Sequence, residues 1–226
     1  MKTASHPSAK PTPSLARRER EKAETRRLIL GAARALFTRE GYESTTMRAI
    51  ATRIGYTATA IYHHFADKEA LMMELCASDF NEMGMALRSI GKIADPIERI
   101  RQMGRAYIRF ALEHPEQFRF MFLIDRPMPG PEDVAHLMDP GHDGYVFLLE
   151  AVGEAMTGGH FRPELQDPDM IAQVFWGAVH GIATIHVCMP PEKHKWVELR
   201  DALATADVCC AAMMNGLLRA PVAVSR

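Results

Sequence analysis

This chain of 226 residues has no stretch in which apolar and polar residues alternate, so nothing in it reads as a half-buried strand and a sheet-built fold is excluded. Cysteine is scarce. Cys76, Cys188, Cys209 and Cys210 show no disulfide framework, and the adjacent Cys209 and Cys210 are poorly placed to bond to each other. A reducing cytoplasm is therefore the expected setting, with redox sensing by a free thiol left open. Residues 174–189 form a sixteen-residue weakly polar run broken by His180, Thr184 and His186, too short for a bilayer. It is read as a buried helix, with no membrane partner. The frames that carry catalysis are also missing: no glycine-rich phosphate loop, no glycine-flanked serine, no His-Glu-x-x-His. His180 and His186 are six apart and fall on different helix faces. The chain is read as a non-enzyme with no catalytic residues, no metal and no cofactor.

What is present is unevenly distributed. Residues 1–65 hold 12 Lys+Arg against 5 Asp+Glu, a net of +7, while residues 66–226 hold 15 against 23, a net of −8. The overall charge of −1 conceals a basic head on an acidic body. Such an arrangement turns one end toward a polyanion.

Within the basic part, the segment from Thr45 to Phe65 predicts two short helices joined by a tight turn. Thr45 or Thr46 supplies a hydroxyl to cap the first helix. Ile50 and Ile54 face one way, leaving Arg48 and Arg53 in water. Gly55 stands where a helix stops in a left-handed conformation. Thr57 caps the second helix, and Ile61 with Phe65 anchors it. The outward residues are then Ala58, Thr59, Tyr62 and His63, small and polar enough to enter a DNA major groove. An ordinary helical hairpin would share these features. Upstream, Ile29, Ala32, Ala33, Leu36 and Phe37 form one stripe of a helix ended by Gly41; downstream, Asp67 caps another helix.

Residues 22–72 resemble the N-terminal domain of the TetR family of transcriptional regulators. The resemblance rests on Ile29, Ala32, Ala33, Phe37, Gly41, Thr45, Thr46, Ile50, Ala51, Gly55, Ile61, Tyr62, Phe65, Lys68 and Leu71 at fixed spacing. It implies contacts from Thr45, Thr46, Thr57, Tyr62, His63 and Lys68 to phosphates. Arg48, Ala58 and Thr59 are the candidates for reading base edges. The predicted organisation is a disordered basic tail over residues 1–18, a helix-turn-helix domain over 19–66, a regulatory and dimerisation domain over 67–219, and a tail over 220–226. The first tail carries Lys2, Lys10, Arg17, Arg18 and three prolines without an acid or a secretory apolar stretch. It either reaches a minor groove or does nothing.

Beyond Lys68 helical periodicity continues. Leu71, Leu75, Phe80, Met83, Leu87 and Ile90 trace a long helix. Asp95-Pro96-Ile97-Glu98 is a helix start with a capping acid and proline in the first turn. That helix runs to His114-Pro115, and a shorter one follows through Phe118, Met121 and Phe122. Residues 126–144 read as a loop with a brief helix near 134–138. A further helix spans Tyr145 to Met156 and ends at Gly158-Gly159. The last helix, over about residues 191–218, places Trp196, Leu199, Leu203, Ala206, Cys210, Met213 and Leu217 on a two-per-heptad seam. That seam lines either the core of one subunit or a dimer interface.

The family resemblance implies an all-α architecture, an N-terminal three-helix DNA-binding domain followed by a larger helical bundle that binds ligand and dimerises through its last two helices. The run from Phe175 through Trp176, His180 and Gly181 is similar to the Trp-His-Gly (WHG) subgroup of regulatory domains, as is the segment from Tyr107 to Phe122. Gly177 and Gly181 would let another helix approach. His180 is either a hydrogen-bonded core histidine or a ligand contact. Fifteen Met and ten Phe could line a pocket or merely fill a core. The expected pocket lining is Met103, Tyr107, Phe110, Met121, Phe122, Trp176, Val179 and His180, around a small, largely apolar effector. The function read from all this is a sequence-specific transcriptional regulator, most simply a repressor, whose homodimer binds palindromic double-stranded operator DNA until the effector releases it. The alternatives are a regulator that has no small ligand or acts as an activator, and an enzyme or lipid-carrying helical domain with an incidental basic head.

Overall fold

The computed structural model describes residues 13–127, 130, 143–189 and 196–219. The chain divides into two compact units, one ending at Met72 and the other beginning at Met73. Among the described residues every regular element is a helix, apart from a single antiparallel bridge between Phe161 and Leu218.

The first unit holds α1 (Pro13–Glu40), α2 (Met47–Arg53), α3 (Ala58–Tyr62) and the start of α4 (Lys68–Arg88). Its core is the predicted stripe of α1, with Ile29, Ala33 and Phe37 fully buried beside Ile50, Ile61 and Leu71. Gly41 ends α1 at φ +87°, where a side chain would be strained. One boundary is corrected. Residues 13–18 belong to α1 rather than to a disordered tail, since Pro13 suits a first turn and Arg17 pairs with Glu21 one turn on at 3.5 Å. The remainder of that predicted tail lies outside the described residues.

The second unit is built around α5 (Pro96–Glu113), reached through a 3-10 turn over Ser89–Lys92. Around it stand α6 (Pro115–Phe122), α7 (Gly144–Thr157), α8 (Pro168–Cys188) and α9 (Ala202–Leu217). Asp95, Asp143, Asp167 and Asp201 each cap the helix that follows by accepting a free backbone N–H. α5 buries Ile100, Met103, Tyr107, Phe110 and Ala111 along one stripe. Gly104 faces α8 so closely that an added Cβ would lie 3.1 Å from Val179 Cγ1, so its lack of a side chain sets the helix spacing.

Two expectations change here. Residues 196–201 are not helical; α9 starts after the Asp201 cap, so Trp196 and Leu199 fall outside the helix that was to carry them. Within α9 the seam turns inward: Ala206 and Cys210 are buried in this unit's own core, with Leu203, Met213 and Leu217 packed against it. The second change concerns α8. Its cap lies at Asp167, which gives it 21 residues, and it is long and apolar enough to match a membrane span by length and composition. Contrary to the expectation of a buried helix, it is only partly buried: Met170, Val174 and Ile185 are exposed, as is Val208 on α9. The brief helix predicted near residues 134–138, the residues 191–195 of the last helix and the tail 220–226 lie outside the described residues.

Candidate nucleic-acid interface and regulatory cavity

In the first unit, α2 and α3 are positioned almost entirely by their ends. Thr46, in extended backbone, accepts the Ala49 N–H on Oγ1 at 3.1 Å, and Thr57 accepts the Ala60 N–H at 3.2 Å. Between them α2 closes with paired bonds, Tyr56 N–H to Ala51 O at 2.9 Å and Gly55 N–H to Thr52 O at 3.2 Å. That closure requires the φ of +73° that Gly55 adopts. Ile61 and Phe65 are buried and hold α3 from below. From α1, Arg26 donates to the His64 carbonyl at 2.5 Å and stacks its guanidinium 4.3 Å from the Phe65 ring centre. α3 is thus braced at both ends with its outer face free: Thr59, Tyr62 and His63 are exposed and Ala58 half-buried. Arg48 projects into solvent from α2.

The capping chemistry differs between the helices. α2 and α3 are capped by neutral threonines and carry no acid in the first turn. The four helices named above in the second unit are capped by aspartate, and Asp67 accepts the Ala70 N–H at 2.7 Å at the start of α4. A carboxylate at a helix start would repel a phosphate; a hydroxyl satisfies the backbone and leaves the positive end of the peptide dipoles uncancelled. Burial, together with the positive charge of Arg26, Lys22 and His63, pushes the His64 imidazole below the usual histidine range and favours its neutral form.

Two of the predicted phosphate ligands are placed otherwise. Thr45 is buried, and its hydroxyl donates to the Gly41 carbonyl at 2.8 Å, so it locks the end of α1 instead of meeting solvent. Lys68 turns its ammonium onto the Tyr42 carbonyl at 2.9 Å and over the Tyr42 ring at 4.1 Å. Of the remaining predicted residues, Thr46, Arg48, Thr57, Thr59, Tyr62 and His63 are exposed and Ala58 is half-buried.

The second unit holds a cavity of about 310 Å³ between α4, α5, α6, α7, α8 and α9. Met103, Tyr107, Met121, Phe122, Trp176 and Val179 line it, as expected. Phe110 and His180 do not. Phe110 is buried in the core with its ring 4.8 Å from that of His114. His180 lies behind the wall, its Nδ1 2.8 Å from the Tyr107 hydroxyl. The Trp176 indole N–H donates to the same hydroxyl at 3.4 Å, so two aromatic side chains converge on the oxygen of a third. Lining residues missed in the sequence include Phe80 and Met83 of α4, Tyr145 of α7 and Phe175 of α8. Phe80 and Met83 belong to the periodic stripe that traces the long helix α4, and no local signal separates a core-filling side chain from one facing a void.

Segments of both units match known protein families. The family model for bacterial regulatory proteins of the tetR family matches residues 29–75, and the model for the tetracyclin repressor-like C-terminal domain matches residues 100–190. The HTH-type transcriptional regulator UidR of Escherichia coli K12 is 34% identical over 166 residues, 72% of this chain and 81% of UidR. The HTH-type transcriptional repressor KstR2 of Mycobacterium tuberculosis is 26% identical over 144 residues, 63% of this chain and 72% of KstR2. Among solved structures, AibR in complex with isovaleryl coenzyme A and operator DNA aligns with TM-score 0.67 and 27% identity, covering 83% of this chain and 96% of that one. This chain therefore belongs to the TetR family and is a DNA-binding transcriptional regulator.

Proposed function

We propose that the chain acts in the cytoplasm as a homodimeric repressor, with two α3 helices in successive major grooves of a palindromic operator about 34–36 Å apart, or a little more. The observation that carries this reading is the free outer face of α3, capped by threonine and braced by Arg26. Thr46, Thr57, Tyr62 and His63 would hold phosphates; Lys68 would serve mainly as a brace, with at most one N–H left for DNA. Arg48 would read guanine, Ala58 a thymine methyl, and Thr59 a neighbouring base edge. Because Ala58 and Thr59 are small, shape readout would supply much of the discrimination.

Dimerisation is assigned to the outward faces of α8 and α9. Among the described residues, the backbone of α8 itself and the glycines' chain neighbours aside, no atom lies within 4 Å of a Cβ built at Gly177 or Gly181, which leaves room for a partner helix there. Met170, Val174, Ile185 and Val208 would be covered in the same contact, with Trp196 and Leu199 beside it. Leu203, Ala206, Cys210, Met213 and Leu217 would support this face from within. The placement of Trp176, His180 and Gly181 is our ground for assigning the regulatory unit to the WHG subgroup.

The cavity would take a small, largely apolar effector that favours a conformation unsuited to the operator. The complex of AibR with isovaleryl coenzyme A and operator DNA supports this pairing of sites in a related protein. By linkage, a ligand that weakens DNA binding is itself bound more weakly on DNA, by the same factor of roughly 5–150. Sedimentation with and without duplex DNA tests the assembly. A dimer at micromolar concentration that binds operator, with Arg48→Ala losing preference for operator over random duplex, is the expected result. A monomer, or equal losses on both duplexes, would refute the reading.

A further inference from the structure

The chemistry of the cavity narrows what can enter it. Among the described residues no lysine or arginine lines the space. The acid at its edge, Asp143, uses Oδ1 to accept the N–H groups of Tyr145 and Val146. A carboxylate or phosphate drawn inside would meet no opposite charge from these lining residues, and an unpaired buried anion costs far more than a neutral group.

Among the polar groups carried by lining residues, the Tyr145 hydroxyl is engaged by Asp169 and Gln173, and the Tyr107 hydroxyl has one proton and two lone pairs. Trp176 donates to it at 3.4 Å, and the His180 Nδ1 lies 2.8 Å away. When His180 carries its proton on Nδ1, it donates to Tyr107 and leaves the phenolic proton for a ligand carbonyl. When the proton is on Nε2, Tyr107 donates to His180 and keeps a lone pair for a ligand hydroxyl. One oxygen can therefore act as donor or acceptor. Burial raises the Tyr107 phenol and lowers the His180 imidazole, which keeps both groups uncharged.

Resting on the effector reading above, we propose that the cavity selects a compact neutral apolar group bearing a single carbonyl or hydroxyl oxygen, which it seats on the Tyr107 hydroxyl.

The test uses the full-length protein and four probes of one carbon skeleton: cyclododecanone, cyclododecanol, cyclododecane and cyclododecanecarboxylate. Affinities are read at pH 7.5 by isothermal titration calorimetry on the chain with its native tryptophans. Ketone and alcohol should bind about tenfold more tightly than the hydrocarbon. The carboxylate should bind on the order of a hundredfold more weakly than the ketone. Tyr107→Phe, which keeps the ring, should bring ketone and alcohol down to the hydrocarbon's affinity and leave the hydrocarbon unchanged. A carboxylate that equals or exceeds the ketone overturns the proposal without recourse to any variant, and so does failure of all four probes to bind. Operator affinity measured alongside separates the two readings. A ketone that binds but leaves operator binding intact supports the ligand class and defeats effector release; a carboxylate that alone binds and releases operator does the reverse.

Discussion

The guanidinium of Arg26, on α1, stands 4.3 Å from the Phe65 ring centre and donates to the His64 carbonyl at 2.5 Å. Its side chain spans from the first helix to the residues just beyond the reading helix. α3 has only five residues, far too few to be stable alone, so its orientation is borrowed from such contacts. Arg26→Met keeps much of the apolar stem but removes the charged hydrogen bond and the stacking. The expected cost is about 2 kcal/mol in the first unit. Hydrogen exchange at the amides of α3 should accelerate and operator affinity should fall; unchanged exchange would show that α3 is held by Ile61 and Phe65 alone.

The neutral caps lead to a second expectation. Thr57→Asp preserves the acceptor for the Ala60 N–H and adds a favourable charge at a helix start, so thermal stability should hold or rise by a few tenths of a kcal/mol. Binding to every duplex should weaken, because the carboxylate faces a phosphate. Tm and DNA affinity would then move in opposite directions. Loss of both would mean that the cap, and not the phosphate, is what Thr57 serves.

Stability should also depend on pH in a defined window. His64 and His180 both have folded-state pKa values below the ordinary 6.5, in each case chiefly through burial. Between the lowered folded value and 6.5 the unfolded chain binds more protons than the folded one, so stability is complete above 6.5 and is lost as pH falls below it. Melting at pH 7.5 and pH 5.5 should show a drop in Tm, and His180→Asn should shrink that drop. An identical drop in the variant would assign the effect to other groups.

Features governed by neighbouring residues were readable in the chain. Thr57, Gly55, Asp67 and Asp95 each act on their own backbone, and each stands where its local chemistry places it. Thr45 and Thr46 have equal capping chemistry, and only packing decides that Thr45 is the buried one. Periodicity carried the last helix back across Asp201, although an aspartate there is itself a start signal. Hydrophobicity along residues 174–189 could not reveal which face of α8 this unit's core would leave uncovered. The cavity was least legible: Tyr145, Phe80 and Phe175 meet there from three helices, and their meeting depends on helix placement.

Hydroxyl-radical footprinting on the DNA that flanks this protein's own gene tests the central claim most directly, namely that paired first units grip twofold-related steps of a duplex. Two protected patches related by a dyad are expected, roughly one helical turn or slightly more between their centres, fading as salt rises. Uniform cleavage in modest salt, or one patch without a symmetry mate, would contradict it.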